Sequence, residues 1–333
     1  MRAVVLVGGF GTRLRPLTYH TPKPMLPVGH LPILEWVVRH LGRHGVDEVV
    51  LSLGFKPEPF MEAYPDAMCA GVRLSYAVEP EPLDTAGAIK FAAEFAGIDD
   101  TFVVVNGDVL SDVDVSAMVA FHRAHNAEGT IHLIGVEDPS AFGVVPTDDD
   151  GRVVAFIEKP APGTAPTNQI NGGTYVLEPS VLARIPSGRK VSIERETFPA
   201  MVAGGTLYAL PLDCYWLDTG RPDQYLQANL DVLDGLRAHD DAVAAHAPGA
   251  VVAGAVRHSI VGVGAVVGPE ATVIDSVLLP GAQVSAGAHV VESVLGPGSK
   301  VGEGAILTRC VLGAEAQVEP GEILVDVRRP EPA

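Results

Sequence analysis

A repeat of 17 residues near the carboxyl end restricts the fold of this chain more than any other feature of its sequence. Ser259, Ser276, Ser293 and Cys310 follow one another at that spacing, and a β-branched residue comes directly after each of them. The same frame aligns two further sets, Gly264, Gly281 and Gly298, and Val267, Val284, Val301 and Val318. Stacked copies would place each valine set in one internal ladder while the glycines turn the corners. The period therefore predicts a small β-solenoid rather than a flexible glycine and alanine linker.

The part of the chain before the repeat alternates between strand-like and helix-like segments, which favours an α/β domain with a parallel sheet. Residues 3–7, 49–53 and 102–105 are short apolar runs, as expected of strands that are buried on both faces. Pro32 is expected to open a helix. The predicted domains are a catalytic domain over residues 1–237, a linker with an irregular first coil over 238–250, the solenoid over 251–326 and a tail over 327–333.

The charge of the chain argues against polyanionic partners. A formal net charge of -18 would repel nucleic acid and anionic membranes along most of the surface, so neither is expected as a partner. Residues 1–34 nevertheless contain no acidic residue and include Arg2, Arg13, Arg15 and Lys23. A local positive region in an acidic protein indicates a small anionic ligand. We find no apolar run that suits a signal peptide or a membrane span, so we expect a cytoplasmic protein.

A glycine-rich loop, residues 8–13, directly follows the first predicted strand, where an open parallel sheet places its ligand crevice. Glycines let backbone N–H groups approach phosphate oxygens, and Arg13 adds a cationic fork. The loop lacks the Gly-Lys-Ser/Thr ending of a Walker loop, and Leu14 replaces the third small residue of a dinucleotide fingerprint. We therefore predict a phosphate-binding loop of another kind, with a plain strand-to-helix turn as the alternative for the glycines alone.

Three charged residues suggest phosphate and metal binding. Lys23 stands between Pro22 and Pro24, which fix φ and are expected to prevent a helix. Asp108 follows an apolar run, at the edge of the sheet where ligands bind, and Asp218 is also expected at the end of an element. Mg²⁺ commonly takes only one or two protein carboxylates, so both aspartates suit it, although a cap or turn acid has the same appearance.

Five motifs, taken together and in this order, resemble the sugar nucleotidyltransferase family. They stand at residues 8–18 (GGFGTRLRPLT), 22–24 (PKP), 106–108 (NGD), 158–160 (EKP) and 171–173 (NGG). Residues 191–196 and 225–229 are most similar to the mannose-1-phosphate guanylyltransferase branch, and the repeat is similar to the hexapeptide-type β-helix of many members. The resemblance implies an α/β fold, namely a Rossmann-like mixed or parallel sheet followed by a short left-handed β-helix.

The resemblance also implies a reaction. An NTP, GTP in this branch, binds first, a sugar 1-phosphate such as mannose 1-phosphate follows, and pyrophosphate leaves as the sugar phosphate attacks the α-phosphorus. The implied catalytic residues are Arg13, Lys23 and Asp108. The implied nucleotide ligands are Leu6, Gly8, Gly9, Gly11, Thr12, Arg13, Lys23, Glu79, Thr85 and Gly87. The implied sugar-phosphate ligands are Gly143, Glu158, Lys159 and Asn171, and the implied Mg²⁺ ligands are Asp108 and Asp218.

Two features of the sequence leave the identity of the nucleotide base undecided. Many relatives have Leu-Gly-Thr-Ala-Gly where this chain has Asp84 at the second position, and residues 216–220 are equally similar to thymidylyltransferases. Glucose 1-phosphate with dTTP or UTP is therefore the alternative substrate pair. A non-catalytic regulatory subunit that senses sugar nucleotides is an alternative of another class.

The repeat itself allows two functions. It could be an acyltransferase that uses His246, His258 or His289 as a base, although none of these residues has an evident partner in the sequence. We favour assembly, because stacked terminal coils offer a flat surface to a neighbouring subunit. A homo-oligomer formed through the β-helix is therefore expected.

Overall fold

A computed structural model describes residues 1–9, 11–54, 57–238, 240 and 242–332. Phe10 of the glycine-rich loop, His239 and Asp241 of the predicted linker and Ala333 of the predicted tail lie outside the described residues. The chain divides into two compact units, the first formed by Met1–Gly9 with Glu35–Trp216 and the second by Phe10–Leu34 with Leu217–Ala333. The chain therefore passes from the first unit to the second within the glycine-rich loop.

The helices are short and lie mostly in the first unit. The α-helices are α1 (Ile33–Arg43), α2 (Glu58–Ala63), α3 (Asp84–Phe95), α4 (Val115–Ala124), α5 (Val181–Arg184), α6 (Phe198–Ala203) and α7 (Pro222–Leu233). Three 3₁₀-helices span Thr12–Leu14, Lys23–Met25 and Pro139–Ala141, and a π-helix spans Ile193–Thr197, in the part of the chain that the structure describes. Within that part, no helix has the length and apolar character needed to cross a membrane.

The turn at Lys23–Met25 differs from the expectation that the flanking prolines prevent a helix. Pro22 precedes the turn, and Pro24 occupies one of its first positions. A proline is tolerated there because the N–H that it lacks would have no partner within the helix. The prolines therefore exclude a long α-helix but not a single 3₁₀ turn.

A mixed sheet forms the centre of the first unit. The strands before the repeat are β1 (Arg2–Leu6), β2 (Pro27–Val28), β3 (Leu31–Pro32), β4 (Glu48–Leu53), β5 (Met68–Cys69), β6 (Val72–Val78), β7 (Phe102–Asn106), β8 (Val109–Ser111), β9 (Gly129–Gly135), β10 (Gly143–Val144), β11 (Ile157–Glu158), β12 (Gln169–Leu177), β13 (Leu207–Pro211) and β14 (Trp216–Asp218). The sheet has the order β11-β10-β12-β7-β1-β4-β6-β5, and β9 pairs with β12 and β13. The strands β7, β1, β4 and β6 are parallel, whereas β12 is antiparallel to β7. The predicted α/β fold with a mixed or parallel sheet is thus confirmed.

The core of the first unit explains the apolar runs of the sequence. Val4 of β1, Val50 of β4 and Val104 of β7 are fully buried in one cluster with Ile89 of α3. Burial on both faces of the central strands removes the usual alternation of polar and apolar residues. Each of these strands therefore appears in the sequence as a continuous apolar run.

The repeat folds as a parallel β-helix in the second unit. Its strands are β15 (Val251–Val252), β16 (Ala255–Arg257), β17 (Ile260–Val261), β18 (Val266–Val267), β19 (Thr272–Ile274), β20 (Val277–Leu278), β21 (Gln283–Val284), β22 (His289–Val291), β23 (Val294–Leu295), β24 (Lys300–Val301), β25 (Ile306–Thr308), β26 (Val311–Leu312), β27 (Gln317–Val318), β28 (Ile323–Val325) and β29 (Arg328–Arg329). They form three parallel sheets of five strands each in the described residues. The aligned positions Ser259, Ser276, Ser293 and Cys310 are called the serine row. The sequence showed four copies because the fifth position of this row is Val327, which breaks the pattern. The last strand, β29, falls within the predicted tail.

The aligned serines form a hydrogen-bonded ladder inside the β-helix. Ser276 Oγ accepts a hydrogen bond from the Ser293 backbone N–H at 3.0 Å and donates to the Ile274 carbonyl at 2.7 Å. Ser259 and Ser293 make the same pair of contacts one coil before and one coil after. Because these serines are fully buried, each hydroxyl satisfies a backbone N–H that water cannot reach.

His258, a candidate base in the sequence, joins α7 to the β-helix instead. Its Nδ1 lies 2.5 Å from Asp275 Oδ1 one coil on, and its Nε2 lies 3.1 Å from Asp234 Oδ2 just after α7. The hydrogen bond with Asp275, and then that with Asp234, raise the pKa of His258, whereas partial burial opposes the shift. Since both ring nitrogens are engaged, His258 has a structural role in the second unit.

We predict that Ser276→Ala lowers the free energy of unfolding by about 1–3 kcal/mol, because it leaves the buried Ser293 N–H without an acceptor. Urea unfolding followed by circular dichroism measures the loss. Ser276→Cys is the matched control, since Cys310 occupies the same position of the repeat, and its loss should be smaller. Equal stability of Ser276→Ala and the wild type would contradict a contribution from the ladder.

Candidate functional site

In the first unit, predicted site residues lie at the carboxyl ends of neighbouring parallel strands. Leu6 ends β1 and pairs with Ser52 of β4 and Asn106 of β7. The Gly107 N–H donates to the Leu6 carbonyl at 2.9 Å, and a Cβ on Gly107 would lie 2.9 Å from that oxygen. Glycine is required for this approach, which holds Asp108 beside the end of β1.

Gly8 and Gly9 have different surroundings. A Cβ on Gly8 would lie 3.3 Å from the backbone nitrogen of Gly54, so the two backbone segments pass close to each other. Gly9 is exposed, and a Cβ there would meet no described atom within 4 Å. Packing therefore restricts side chains at Gly8, whereas Gly9 leaves its backbone open to a ligand.

Glu79 follows β6 at the same edge of the sheet and is 8% exposed. Its Oε1 accepts a hydrogen bond from Ser52 Oγ at 3.2 Å, and its Oε2 accepts one from the Leu83 N–H at 2.8 Å. Both carboxylate oxygens thus help to fix the loop between β6 and α3. The role of Ser52 is not evident in the sequence, where it appears only as a polar residue within an apolar strand.

Thr85 and Gly87 fasten the first turn of α3 to a later segment of the first unit. Thr85 Oγ1 donates to Glu194 Oε2 at 2.9 Å and accepts a hydrogen bond from the Ile193 N–H at 2.8 Å. The Gly87 N–H donates to the Val191 carbonyl at 3.2 Å, and a Cβ on Gly87 would lie 2.8 Å from Leu83 Cβ. These contacts give both residues a packing role, and their contact with a nucleotide stays a prediction.

Asp84, which departs from the family motif, has a left-handed backbone with φ of 61°. Glycine adopts this conformation without steric cost, whereas other residues rarely do. The Asp84 carboxylate accepts a hydrogen bond from the Thr85 N–H at 2.8 Å, a local contact that helps aspartate to tolerate such a conformation. Asp84 therefore occupies a position at which the backbone conformation favours the glycine of the family motif.

The predicted sugar-phosphate ligands lie on neighbouring strands of the first unit. Gly143 of β10 pairs directly with Glu158 of β11, and a Cβ on Gly143 would lie 3.1 Å from Glu158 Oε2. Lys159 Nζ is 3.5 Å from Glu158 Oε1, and its side chain is 61% exposed. Asn171 lies on β12, next to β10. The structure therefore brings these four residues to one region of the sheet.

Tyr175, whose role is not evident in the sequence, contacts Asn171. The Asn171 Nδ2 group donates to the Tyr175 hydroxyl at 2.9 Å, and Asn171 Oδ1 accepts a hydrogen bond from the Gly173 N–H at 3.0 Å. Burial raises the pKa of Tyr175, and the carboxylates of Glu194, Glu158 and Asp108 raise it further. This role has no signal in the sequence, because an aromatic residue in a buried strand is typical of any core.

In the second unit, Gly11 begins the turn that presents Thr12 and Arg13. Gly11 has φ of 57°, and its carbonyl accepts a hydrogen bond from Thr18 Oγ1 at 2.7 Å. A Cβ on Gly11 would lie 3.3 Å from Lys23 Cβ, so glycine also permits close packing there. Thr12 and Arg13 are exposed on the 3₁₀-helix that follows.

Arg13 and Lys23 converge on the carboxylate of Asp218 in the second unit. Lys23 Nζ lies 3.4 Å from Asp218 Oδ1, and Arg13 Nη2 lies 3.9 Å from Asp218 Oδ2. The Lys23 side chain is 5% exposed, and a buried ammonium needs a counter-charge. A Cβ on Gly220 would lie 2.7 Å from Arg13 Nη2, so this glycine, whose role the sequence did not indicate, leaves room for the guanidinium.

The cluster of cations in the first 34 residues is smaller than the sequence suggests. Arg2 donates to the carbonyls of Ala96 and Gly97 and forms an ion pair of 2.7 Å with Asp99, so it is engaged after the end of α3. The Arg15 guanidinium lies 5.3 Å from the centre of the Tyr19 ring. Arg13 and Lys23 meet at the carboxylate of Asp218.

Comparison with known proteins places the chain among enzymes that transfer nucleotides. The nucleotidyl transferase family model matches residues 2–235, and the model for the GlmU-like C-terminal hexapeptide matches residues 244–328. The mannose-1-phosphate guanylyltransferase of Mycobacterium tuberculosis is 43% identical over 83% of this chain and 79% of its own length. The mannose-1-phosphate guanyltransferase of Schizosaccharomyces pombe is 41% identical over 76% of this chain and 70% of its own length.

A solved structure is also similar to this chain. The crystal structure of HddC from Yersinia pseudotuberculosis has a TM-score of 0.60 and 29% identity to this chain, and the match covers 68% of this chain and 97% of HddC. The resemblance that the motifs indicated is therefore confirmed along most of the sequence. Since the family model spans residues 2–235, the chain belongs to the nucleotidyl transferase family.

Proposed function

We propose that this protein transfers the guanylyl group of GTP to mannose 1-phosphate, giving GDP-mannose and pyrophosphate. The similarity to mannose-1-phosphate guanylyltransferases over most of the chain supports this choice of substrates. The observation that supports the chemistry is the convergence of Arg13 and Lys23 on Asp218. Two cations that share one carboxylate can exchange it for the phosphates of a nucleotide. A cytoplasmic location, where nucleotides are available, is part of the same proposal.

The residues of this chain have separate tasks in the proposed reaction. The backbone of Gly8, Gly9 and Gly11 and the side chains of Thr12 and Arg13 hold the triphosphate. Arg13 faces the leaving pyrophosphate, and Lys23 faces the phosphates at the reaction centre. Because the attacking sugar phosphate is already anionic, the protein mainly aligns the reactants and stabilises charge. No serine or cysteine nucleophile is required.

The sugar-phosphate side of the reaction is assigned to four residues of the first unit. Gly143 lies opposite Glu158 and has no side chain to collide with the Phe156 ring, and the exposed ammonium of Lys159 is suited to a phosphate. Asn171 is held by Tyr175, so its amide is oriented before a sugar binds. Glu79, Thr85 and Gly87 are assigned to the base and ribose, together with Leu6 at the end of β1.

We also propose Mg²⁺ as the cofactor, with Asp108 and Asp218 as its protein ligands. Carboxylate oxygens are the donors that Mg²⁺ prefers, and the ion usually keeps water and substrate phosphates as its other ligands. The described residues contain no cluster of three or more acidic, histidine or cysteine ligands, and such an ion needs none. When bound, Mg²⁺ would neutralise negative charge on the phosphates. Lys23 and Arg13 would then move from Asp218 to the phosphates.

We expect the purified protein to release pyrophosphate with GTP and mannose 1-phosphate, and to stop when EDTA removes divalent cations. Parallel reactions with dTTP or UTP and glucose 1-phosphate test the alternative substrates. A faster reaction with one of these pairs would overturn the proposed substrates, and no release with any pair would favour a regulatory subunit.

Arg13→Ala should lower kcat on the order of 100-fold or more, the usual scale for a group aimed at charge in the transition state. Steady-state pyrophosphate release measures this effect. Arg39→Ala is the control, because Arg39 is an arginine of α1 that pairs with Glu35 and has no assigned role in the site. Similar kcat values for the two variants would contradict the role of Arg13.

We propose that the protein forms a homo-oligomer through the β-helix. The last strand of one sheet is β28, in which Ile323 is 66% exposed and Val325 is 51% exposed. Ile306 of the preceding coil pairs with Ile323. Exposed apolar side chains at the open edge of a sheet are typical of surfaces that contact another chain.

Ile323→Asp should shift the protein to a smaller assembly in light scattering while pyrophosphate release is retained, because the charge would be desolvated at the contact. Val154→Asp is the matched control, since Val154 is 55% exposed and lies outside the β-helix. A wild-type monomer, or the same assembly in both variants, would contradict the proposed contact.

A further inference from the structure

The last coil of the β-helix contacts the turn that presents Arg13. Arg328 lies on β29, where it pairs with Val311 of the preceding coil. Its Nη1 group donates to the Arg13 carbonyl at 3.0 Å and to the Arg15 carbonyl at 3.4 Å. Both partners belong to the second unit, although more than 300 residues separate them in the sequence.

A second contact joins the same two segments. A Cβ on Gly313, just after β26, would lie 2.9 Å from Pro16 Cβ and 3.3 Å from Pro16 Cγ. The Tyr19 hydroxyl also donates to the Glu331 carbonyl at 3.4 Å. The turn after Arg13 therefore packs against the last coil at several points, and glycine at position 313 permits the closest approach.

The Arg13 carbonyl needs a donor from outside its own turn. In a 3₁₀-helix each carbonyl accepts from the N–H three residues further on, and the residue three positions after Arg13 is Pro16, which has no N–H. Carbonyls at the end of a helix are left without partners, and arginine side chains can cap them. Arg328 supplies this donor.

A helix of three residues does not persist by itself, because its few hydrogen bonds cannot offset the cost of ordering the backbone. The Arg13 side chain is 66% exposed, and its contact with Asp218 is long, at 3.9 Å. Within the described residues, the Arg13 side chain thus has few contacts that fix its position. The direction of the Arg13 guanidinium therefore depends on its own backbone, whose carbonyl is held by Arg328.

We propose that Arg328 is a positioning residue for nucleotidyl transfer, which acts by capping the turn that aims Arg13. The inference rests on the proposed function of Arg13 in the reaction. It assigns the last coil of the β-helix a part in the chemistry, in addition to assembly.

The neighbouring residue offers a matched control. Arg329 Nη1 donates to the Gln317 carbonyl at 3.0 Å, and its Nη2 forms an ion pair of 2.6 Å with Glu322. These contacts lie within the β-helix and do not involve the turn at Arg13. Arg329→Ala thus alters the same strand without removing the cap.

We expect Arg328→Ala to lower kcat about tenfold, the effect of losing a hydrogen bond from a charged donor, whereas Arg329→Ala changes kcat less than about twofold. Arg328→Lys should recover part of the rate, because an ammonium can still donate to one carbonyl. In the Arg13→Ala background, Arg328→Ala should have little further effect, since residues that act through one another are not additive. Equal kcat losses in the two arginine variants, or an additive loss in the double variant, would overturn the proposal.

A second readout is independent of the substrates. Amide hydrogen exchange of peptides that cover residues 11–19 should become faster in Arg328→Ala than in the wild type or in Arg329→Ala, measured without ligand. Unchanged exchange would contradict the cap even if the enzyme transfers guanylyl groups as proposed. If the wild type is inactive with every substrate pair but Arg328→Ala exchanges faster, the proposed function fails and the cap remains.

Discussion

The close approach of backbone segments at the end of the first strand is the constraint on which the first unit depends. Gly107 donates to the carbonyl of Leu6, and Gly8 passes Gly54, at distances that a Cβ would disturb. These approaches bring the ends of β1, β4 and β7 together. Backbone packing therefore places Asp108 at the edge of the sheet. The glycines therefore set the space that is available at this edge.

In the second unit, the balance of charge around Asp218 holds the predicted site residues together. Lys23 is almost completely buried, and the carboxylate of Asp218 compensates its charge while also facing Arg13. An ammonium held in this way is ordered before a ligand arrives, which reduces the entropy that binding would otherwise cost. The same aspartate is a proposed ligand of Mg²⁺. The resting ion pairs and the proposed bound state therefore use the same three side chains.

The β-helix combines a very regular interior with irregular contacts at its surface. Inside, the serine row repeats one pattern of hydrogen bonds from coil to coil. Outside, single residues contact parts of the second unit that precede the repeat, as His258 does with Asp234 and Arg328 does with the carbonyl of Arg13. A scaffold with one fixed rise per coil can place such residues at defined positions. Its last coil therefore holds Arg328 against the turn that presents Arg13.

The sequence was sufficient to predict the features that depend on local order, namely the buried strands, the period of 17 residues and the motifs of the nucleotidyl transferase family. It showed four coils instead of five, since Val327 breaks the serine row, and it suggested Arg2 as part of an anion site although Arg2 pairs with Asp99. It also gave no signal for Tyr175 beneath Asn171 or for Arg328 beside Arg13. Periodicity and motifs are properties of neighbouring residues, so they can be recognised along the chain. Contacts between distant side chains cannot be recognised in this way, because they depend on how the folded backbone brings separate segments together.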